Sequence, residues 1–368
     1  MHVYVHVPFC ARRCSYCDFA IAVRPTTPDD TYVRAILSEW QQRVGTSPLG
    51  AADAITTLYF GGGTPSRLAP ASLSQIISEI ANTRPLAPEA EVTVETNPED
   101  VTAEKASAWV AAGVNRVSLG VQSHDPAVLA WMHRTHRAEQ VPAAVAALRD
   151  AGINNVSMDL IFGLPVALDR DWARDLELTF ALGPTHISLY GLTIEPHTPL
   201  QHWTDRGESV PVDEERYAAE YLRANHELAR HGFEHYEVSN AALPGYRSRH
   251  NSAYWSGAEY LGLGPSAHSL VAGVRSWNAR EWTDYAERSV AGEPLQAGSE
   301  SLDPGARRLE ALYLGLRTNA GLAMEEIPAE ACAVWLRAGW AEAVAGRIRL
   351  TVEGWLRLDA LVGAIVHS

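Results

Sequence analysis

The sequence predicts an α/β protein in which β-strands and α-helices alternate along the first half of the chain. Short runs rich in β-branched and aromatic residues alternate there with segments of helical periodicity. This order is typical of consecutive βα units, whose strands lie parallel because each helix forms a right-handed crossover. The pattern alone fits either a partial or full (β/α) barrel or an open doubly wound sheet.

The individual elements are predicted from residue composition and from the residues that end them. Strands are expected at Val3–Val7, Thr57–Phe60, Glu91–Glu95, Arg116–Leu119, Val156–Ile161 and His186–Tyr190. Helices are expected at Asp30–Val44, Pro70–Ala81, Ala103–Ala111, Gln140–Ala151 and Asp171–Leu182. Gly113 and Gly152 follow two of these helical patterns and are typical helix stops.

The middle of the chain has a different pattern. A helix is expected from about Val212 to His231, and the segment Ser239–Ser269 then shows little periodicity and many aromatic and glycine residues. Irregular segments of this length inside compact proteins are usually functional or disordered, and the aromatic residues argue against disorder. We therefore expect this segment to carry function.

The C-terminal residues predict a small α+β unit. Helical patterns at Ala306–Leu316 and Ala329–Ala338 precede a strand-like pair and a final helix after Thr351. This order is winged-helix-like. Together the patterns predict three domains, at residues 1–200, 201–300 and 301–368.

Composition and charge exclude several classes of protein. The chain has 368 residues, of which 46% are hydrophobic and 20% charged, as in ordinary globular proteins. No run of 18 apolar residues and no secretory signal occurs, so a cytoplasmic protein is expected. The formal charge of -14 makes nucleic acid a poor candidate partner, because proteins that bind the phosphate backbone of nucleic acids usually carry basic patches.

Three of the four cysteines form a cluster near the N-terminus. Cys10, Cys14 and Cys17 have CxxxCxxC spacing, whereas Cys332 lies alone in an apolar helical pattern and is expected to be buried. Iron–sulfur clusters normally bind four cysteines, so three local thiolates would leave one iron open to another ligand. The alternatives are a structural zinc site in which His6 is the fourth ligand, or three unrelated thiols.

Polar residues and glycines follow several of the predicted strands. In β/α barrels such positions gather at the carboxyl ends of the strands and form the binding site. Asp159 lies in an apolar strand and needs a partner there, either a ligand or Arg134. The candidates at these positions are Gly62, Gly63, Thr64, Glu95, Gln122, Arg134 and Asp159.

A second candidate site lies in the segment Arg247–Trp255. A histidine flanked by aromatic residues is able to ligate heme iron while the aromatic rings cover the porphyrin. Here His250 is the candidate ligand, and Arg247 and Arg249 would pair with the heme propionates. Gly262-Leu-Gly264-Pro-Ser-Ala-His268 is similar to part of a dinucleotide fingerprint but lacks its third glycine and its strand–turn–helix context, so it is discounted.

The cysteine cluster and its Tyr-x-His-x-Pro-Phe lead resemble the signature of the radical S-adenosylmethionine (SAM) superfamily, in particular its coproporphyrinogen-oxidase-like branch. The resemblance implies a partial (β/α)6 barrel in which Cys10, Cys14 and Cys17 hold a [4Fe–4S] cluster. SAM would chelate the fourth iron and be cleaved to a radical by an electron from the cluster. The implied SAM contacts are Tyr4, Tyr16, Gly62, Gly63, Thr64, Glu95, Gln122, Arg134, Asp159 and Thr193.

The residues His250-Asn251-x-x-Tyr254-Trp255 resemble the motif of the heme-chaperone type within this branch. That resemblance implies heme binding through this motif and delivery to acceptor proteins, including membrane-associated ones. The alternative is an oxygen-independent coproporphyrinogen III oxidase, a radical enzyme that oxidatively decarboxylates propionates. Phe19 stands where that oxidase has a further cysteine, which favours the chaperone. The electron donor is not identified, and a homodimer is left open.

Overall fold

A large, mostly parallel β-sheet dominates the computed structural model, which describes residues 1–46 and 54–366. The strands are β1 (His2–Val7), β2 (Phe9–Cys10), β3 (Ala22–Val23), β4 (Ile55–Gly62), β5 (Leu86–Thr96), β6 (Arg116–Gln122), β7 (Asn155–Phe162), β8 (His186–Gly191), β9 (Glu234–Glu237), β10 (Asn240–Ala242), β11 (Tyr260–Leu263), β12 (His268–Val271), β13 (Val274–Asn278), β14 (Gln296–Ser301), β15 (Leu322–Ala323), β16 (Ala341–Val344) and β17 (Arg347–Leu350). The helices are α1 (Asp29–Thr46), α2 (Pro70–Thr83), α3 (Ala103–Ala111), α4 (Pro126–Trp131), α5 (Gln140–Asp150), α6 (Trp172–Ala181), α7 (Pro199–Asp205), α8 (Glu214–Arg230), α9 (Arg249–Trp255), α10 (Trp282–Ala291), α11 (Pro304–Leu316), α12 (Ala329–Arg337), α13 (Val352–Trp355) and α14 (Leu358–Val366). None of these helices, as far as the described residues go, has the length and apolarity needed to cross a bilayer.

The centre of the sheet is parallel and its two ends are antiparallel. Parallel pairing runs in the order β11-β1-β4-β5-β6-β7-β8. Beyond β8 come β10 and β9, and beyond β11 come β12, β13 and β14, all paired antiparallel. The described sheet therefore ends in two separate edge strands and does not close into a ring, as expected for a partial barrel.

The six predicted strands and five predicted helices of the first half are all present within a few residues of their expected bounds. The expectation of an irregular segment over 239–269 is wrong, because it contains β10, α9 and β11. These elements are too short to show periodicity. β11 exists because it pairs with β1, more than two hundred residues earlier in the chain.

The two faces of the parallel strands differ in chemistry because side chains alternate along a strand. One face packs against helices and forms an apolar core, to which β1, β4 and β5 contribute Val3, Val5, Val7, Leu58, Phe60, Val92 and Val94. The alternate residues point to the opposite face and are polar. There Tyr59 of β4 donates a hydrogen bond to Glu95 of β5 (2.8 Å). The fold thus lines the barrel interior with polar groups.

The C-terminal residues form a second, three-stranded sheet in the order β15-β17-β16, packed with α11, α12 and α14 around its own core. Helix, short strand, helix and hairpin follow one another as the winged-helix-like prediction requires. Cys332 is buried in this core, which confirms its expected structural role. The domain limits at residues 200 and 300 stay predictions.

Candidate functional site

A cavity of about 480 Å³ opens at the carboxyl ends of the parallel strands. Its walls come from the cysteine loop after β1, the glycine segment after β4, and the ends of β5, β6, β7 and β8. We call it the thiol cavity. Of the residues predicted from the sequence, it is lined by Cys10, Cys14, Cys17, Tyr16, Gly62, Gly63, Thr64, Glu95, Gln122, Arg134, Asp159 and Thr193.

The three clustered cysteines are free thiols on a loop that the short parallel pair β2–β3 closes at its base. The Thr64 hydroxyl donates to the sulfur of Cys10 (3.5 Å), and the guanidinium of Arg134 donates to that of Cys14 (3.6 Å). Burial raises the pKa of the Cys17 thiol to about 11, so the thiol carries its proton until a metal replaces it. Arg134 adds positive charge that would stabilise bound thiolates.

The described side chains do not form the ligand set of a single metal ion. Within residues 1–46 and 54–366, no three His, Cys, Asp or Glu side chains converge on a point where one ion would bind. Both ring nitrogens of His6 are engaged, one with the Tyr4 hydroxyl (3.1 Å) and one with the carbonyl of Ala20 (2.9 Å). The zinc alternative thus gains no support, whereas in a cluster each thiolate binds its own iron.

Arg134 is fixed in the cavity by groups that the sequence did not single out. Its guanidinium donates to the side-chain oxygen of Asn97 (2.5 Å) and to the carbonyl of Gly120 (3.0 Å). A Cβ on Gly120 would lie 3.1 Å from Arg134 and 2.9 Å from Gln122, so a side chain there would crowd both. Gln122 has a φ of +65°, a left-handed conformation that is uncommon for residues other than glycine. Asn97 could have been predicted as a site residue, because it directly follows the strand that ends at Thr96.

Two carboxylates lie on the cavity wall. Glu95 accepts hydrogen bonds from the Tyr59 hydroxyl and from the backbone N–H of Gly62 (2.9 Å). Asp159 accepts from the hydroxyl of Ser118 (3.1 Å). Of the two alternatives for the partner of Asp159, Arg134 is not realised: serines contact the carboxylate, and Arg134 is turned towards Cys14 and Asn97.

The titration of Glu95 leads to a testable pH dependence. Burial, together with the nearby Asp159 charge, raises the pKa of Glu95 to about 7, although Tyr59, Gly62 and Arg116 favour its charged form. Because the raised pKa leaves the carboxyl neutral in more acidic solution, its attraction for the sulfonium cation of SAM is lost as pH falls. We expect SAM affinity to fall by about threefold to tenfold between about pH 7.5 and pH 6.

Calorimetric titration of SAM into the reconstituted protein would measure this dependence. The Glu95→Gln variant keeps an acceptor for Tyr59 but cannot ionise, so its affinity should vary with pH only as the ligand itself titrates. Equal pH profiles for the two proteins would contradict the role given to Glu95.

A second cavity of about 660 Å³ adjoins the first, and the two share Phe19, Gly62 and Glu95. We call it the aromatic cavity, after Tyr254, Trp255 and Tyr260 in its wall. Tyr4, which resemblance places among the SAM contacts, lines this cavity and not the thiol cavity.

His250 lies beneath the aromatic cavity and not in its wall. It is only 1% exposed, and its ring stacks on that of Tyr59 at a centroid distance of 4.9 Å. One ring nitrogen bonds to the Thr57 hydroxyl (2.7 Å) and the other to the Tyr254 hydroxyl (3.0 Å). Asn251, its neighbour in α9, also lines neither of these cavities. Of the predicted heme motif, Tyr254 and Trp255 reach the aromatic cavity.

The two arginines beside His250 are occupied in this structure. Arg247 forms an ion pair with Glu234 (2.9 Å), and its side chain lines a different cavity near the C-terminal sheet. The side chain of Arg249 donates to the carbonyl of Glu89. Neither points into the aromatic cavity, so their expected pairing with propionates stays a prediction without structural support.

Comparison with known proteins agrees with this architecture. The family model described as Radical SAM superfamily matches residues 4–179. A protein of Synechocystis named heme chaperone HemW is 38% identical over 88% of this chain and 80% of its own length. A protein of the same name from Mycobacterium tuberculosis is 36% identical over 99% of this chain and 94% of its own length.

A solved structure shares the whole fold. Coproporphyrinogen III oxidase (HemN) from Escherichia coli, described as a radical SAM enzyme, superimposes with a TM-score of 0.82 over 99% of this chain and 89% of its own. The sequence identity is 21%, so this likeness concerns the fold alone. It confirms the predicted α/β fold. The chain thus belongs to the radical SAM superfamily and, within it, to the family of the heme chaperone HemW.

Proposed function

We propose that this protein is a heme chaperone that binds a [4Fe–4S] cluster and SAM in the thiol cavity and binds heme beside them. The observation that carries the proposal is the pair of adjoining cavities, one with three free thiols and one with aromatic walls. Membership of the HemW family supports the same assignment. The proposed setting is cytoplasmic, because free cysteines that bind iron must stay reduced.

The thiol cavity has the donor groups that the cluster and SAM need. Cys10, Cys14 and Cys17 would each bind one iron, and the methionine end of SAM would bind the fourth. When bound and reduced, the cluster supplies the electron that cleaves SAM. The backbone of Gly62 and Gly63 would approach the methionine amino group. The remaining polar contacts to SAM would come from Tyr16, Thr64, Glu95, Gln122, Arg134, Asp159 and Thr193. Tyr4 would reach SAM from the wall of the adjoining aromatic cavity.

Heme is the cargo in this proposal, held at the motif His250-Asn251-x-x-Tyr254-Trp255 and passed to acceptor proteins, including membrane-associated ones. Tyr254 and Trp255 lie in the wall of the aromatic cavity, which supports this location. Ligation by His250 itself would require the hydrogen bond to Tyr254 to break. The electron donor would be a separate protein, and a homodimer would be compatible with the same chemistry.

Anaerobic incubation separates the chaperone from the oxidase alternative. The reconstituted protein is loaded with ferric heme and mixed with a heme-free acceptor protein, and in parallel it is given coproporphyrinogen III, SAM and a reductant. A chaperone should transfer heme, as followed by the acceptor's absorption, and should release no carbon dioxide from the porphyrinogen. Decarboxylation without heme transfer would overturn the proposal.

A further inference from the structure

The glycine-rich segment Gly262–His268 has a structural role that brings a histidine to the aromatic cavity. It runs from β11 through a tight turn into β12, so it is strand–turn–strand and not a dinucleotide-binding turn. A Cβ on Gly262 would lie 2.0 Å from the carbonyl oxygen of His268. Gly264 has a φ of +96°, and its Cβ would lie 2.6 Å from the carbonyl of His6. The glycines therefore allow the chain to fold back and place His268 beside the barrel.

A buried carboxylate fixes this turn. Glu39 of α1 is 1% exposed and accepts hydrogen bonds from the backbone of Gly264 (2.8 Å), the amide of Asn278 (2.7 Å) and the hydroxyl of Tyr285 (2.7 Å). These three donors and the guanidinium of Arg43 (3.6 Å) offset part of the cost of burying the carboxylate, although burial still raises the pKa of Glu39. The position of His268 is thus set by a rigid framework.

Among the described histidines near the aromatic cavity, His268 is the one whose ring nitrogens are available to a ligand, and its ring stacks on that of Trp277 at a centroid distance of 5.9 Å. The ring nitrogens of His6 and His250 are all hydrogen-bonded within the protein. His268 is exposed, lines the cavity and has no hydrogen-bonded ring nitrogen among the contacts of the described residues. Partial burial and the nearby Arg275 charge lower its pKa, which favours the neutral imidazole that binds metals.

The same cavity offers a cation for an anionic substituent. Arg280 is exposed in the cavity wall, where it donates to the carbonyl of Asp18 (3.0 Å) and forms no ion pair with the described carboxylates. Arg275, the other arginine in the wall, is already paired with Glu300 (3.0 Å) and Glu310. Arg280 is therefore the arginine available to an incoming carboxylate.

We propose that the aromatic cavity is the heme site, with His268 as the axial ligand of the iron and Arg280 as the partner of a propionate. This inference rests on the proposed function, keeps Tyr254 and Trp255 in the heme site and replaces His250 by His268 as the iron ligand. The cavity volume of about 660 Å³ is typical of small-molecule sites. Trp255 and Tyr260 would cover the porphyrin, which would lie next to the SAM site across Phe19 and Glu95.

Absorption titrations with two probes test the proposal. Ferric heme and metal-free protoporphyrin IX are titrated into the full-length reconstituted protein and its variants. His268→Ala should weaken ferric heme binding by at least about tenfold and shift the heme bands, as loss of an iron ligand requires. It should leave the affinity for metal-free protoporphyrin unchanged, which a damaged fold would not do. Arg280→Gln should weaken the binding of both probes, because both carry propionates.

Two further variants serve as controls and decide between histidines. His226→Ala, an exposed histidine on α8, should leave both affinities unchanged. If His250→Ala removes the iron ligation bands while His268→Ala retains them with wild-type heme affinity, the proposed ligand is wrong although the chaperone function stands. If the wild-type protein binds no ferric heme at all, the proposed function fails as well.

Discussion

Replacement of Cys14 by serine is expected to abolish the [4Fe–4S] cluster and, with it, specific SAM binding. Cys14 is one of three thiols in the cavity and the one that Arg134 contacts. A hydroxyl is a poor replacement for a thiolate on iron, and two cysteines cannot hold the cluster that three would share. SAM binding should be lost as well, because the methionine end of SAM needs the fourth iron. Iron and acid-labile sulfide analysis after anaerobic reconstitution measures the loss.

Cys332 offers a matched control for this experiment. It is buried in the C-terminal core and lies far along the chain from the other thiols. Cys332→Ala removes one thiol from the protein and should leave the iron and sulfide content unchanged. A full cluster spectrum in Cys14→Ser, or loss of the cluster in Cys332→Ala, would contradict the assignment of the cluster ligands.

Replacement of Arg170 by alanine is expected to lower the free energy of unfolding by about 3–5 kcal/mol, the range found when one partner of a buried ion pair is removed. Arg170 is 6% exposed and forms an ion pair with Glu220 of α8 (2.6 Å). It also donates to the carbonyl of Ile161 in β7 (2.8 Å), and Glu220 accepts from the backbone of Gly163 (2.8 Å). The pair therefore fixes the end of the strand that carries Asp159.

Denaturant unfolding monitored by circular dichroism measures this effect. Arg174→Ala is the control, because Arg174 pairs with Glu177 in α6 at a similar distance (2.7 Å) but both side chains are more than half exposed. Exposed ion pairs contribute about 0–1 kcal/mol to the free energy of unfolding. A loss in Arg170→Ala no greater than in Arg174→Ala would show that the buried pair does not stabilise β7.

The parallel strands were predictable because their apolar residues repeat within single segments. The added strands were not, because β9, β10 and β12 have four residues or fewer, β13 has five, and β14 is largely polar and exposed. α9 has seven residues, and its first N–H groups bond to Glu91 and Ser248. Such a helix is set by tertiary contacts that no local pattern shows.

In the site, too, some features follow from local sequence patterns and others are set by tertiary contacts. The cysteine spacing and the residues at strand ends predicted which groups line the thiol cavity, because strand ends of parallel sheets meet at one edge. The sequence did not show that Thr57 and Tyr254 would occupy both ring nitrogens of His250. It also gave no sign that His268 would reach the aromatic cavity, since that placement depends on Glu39 and the turn at Gly264.

We expect one chain to hold the cluster and heme together in adjoining cavities. The most direct test is a titration of ferric heme into the anaerobically reconstituted, cluster-loaded protein, followed by absorption, with iron and sulfide determined before and after. We expect saturation at a single equivalent of heme with the cluster fully retained. Heme binding that does not saturate, or that proceeds only as the cluster is lost, would show that the protein does not hold both groups in adjoining cavities.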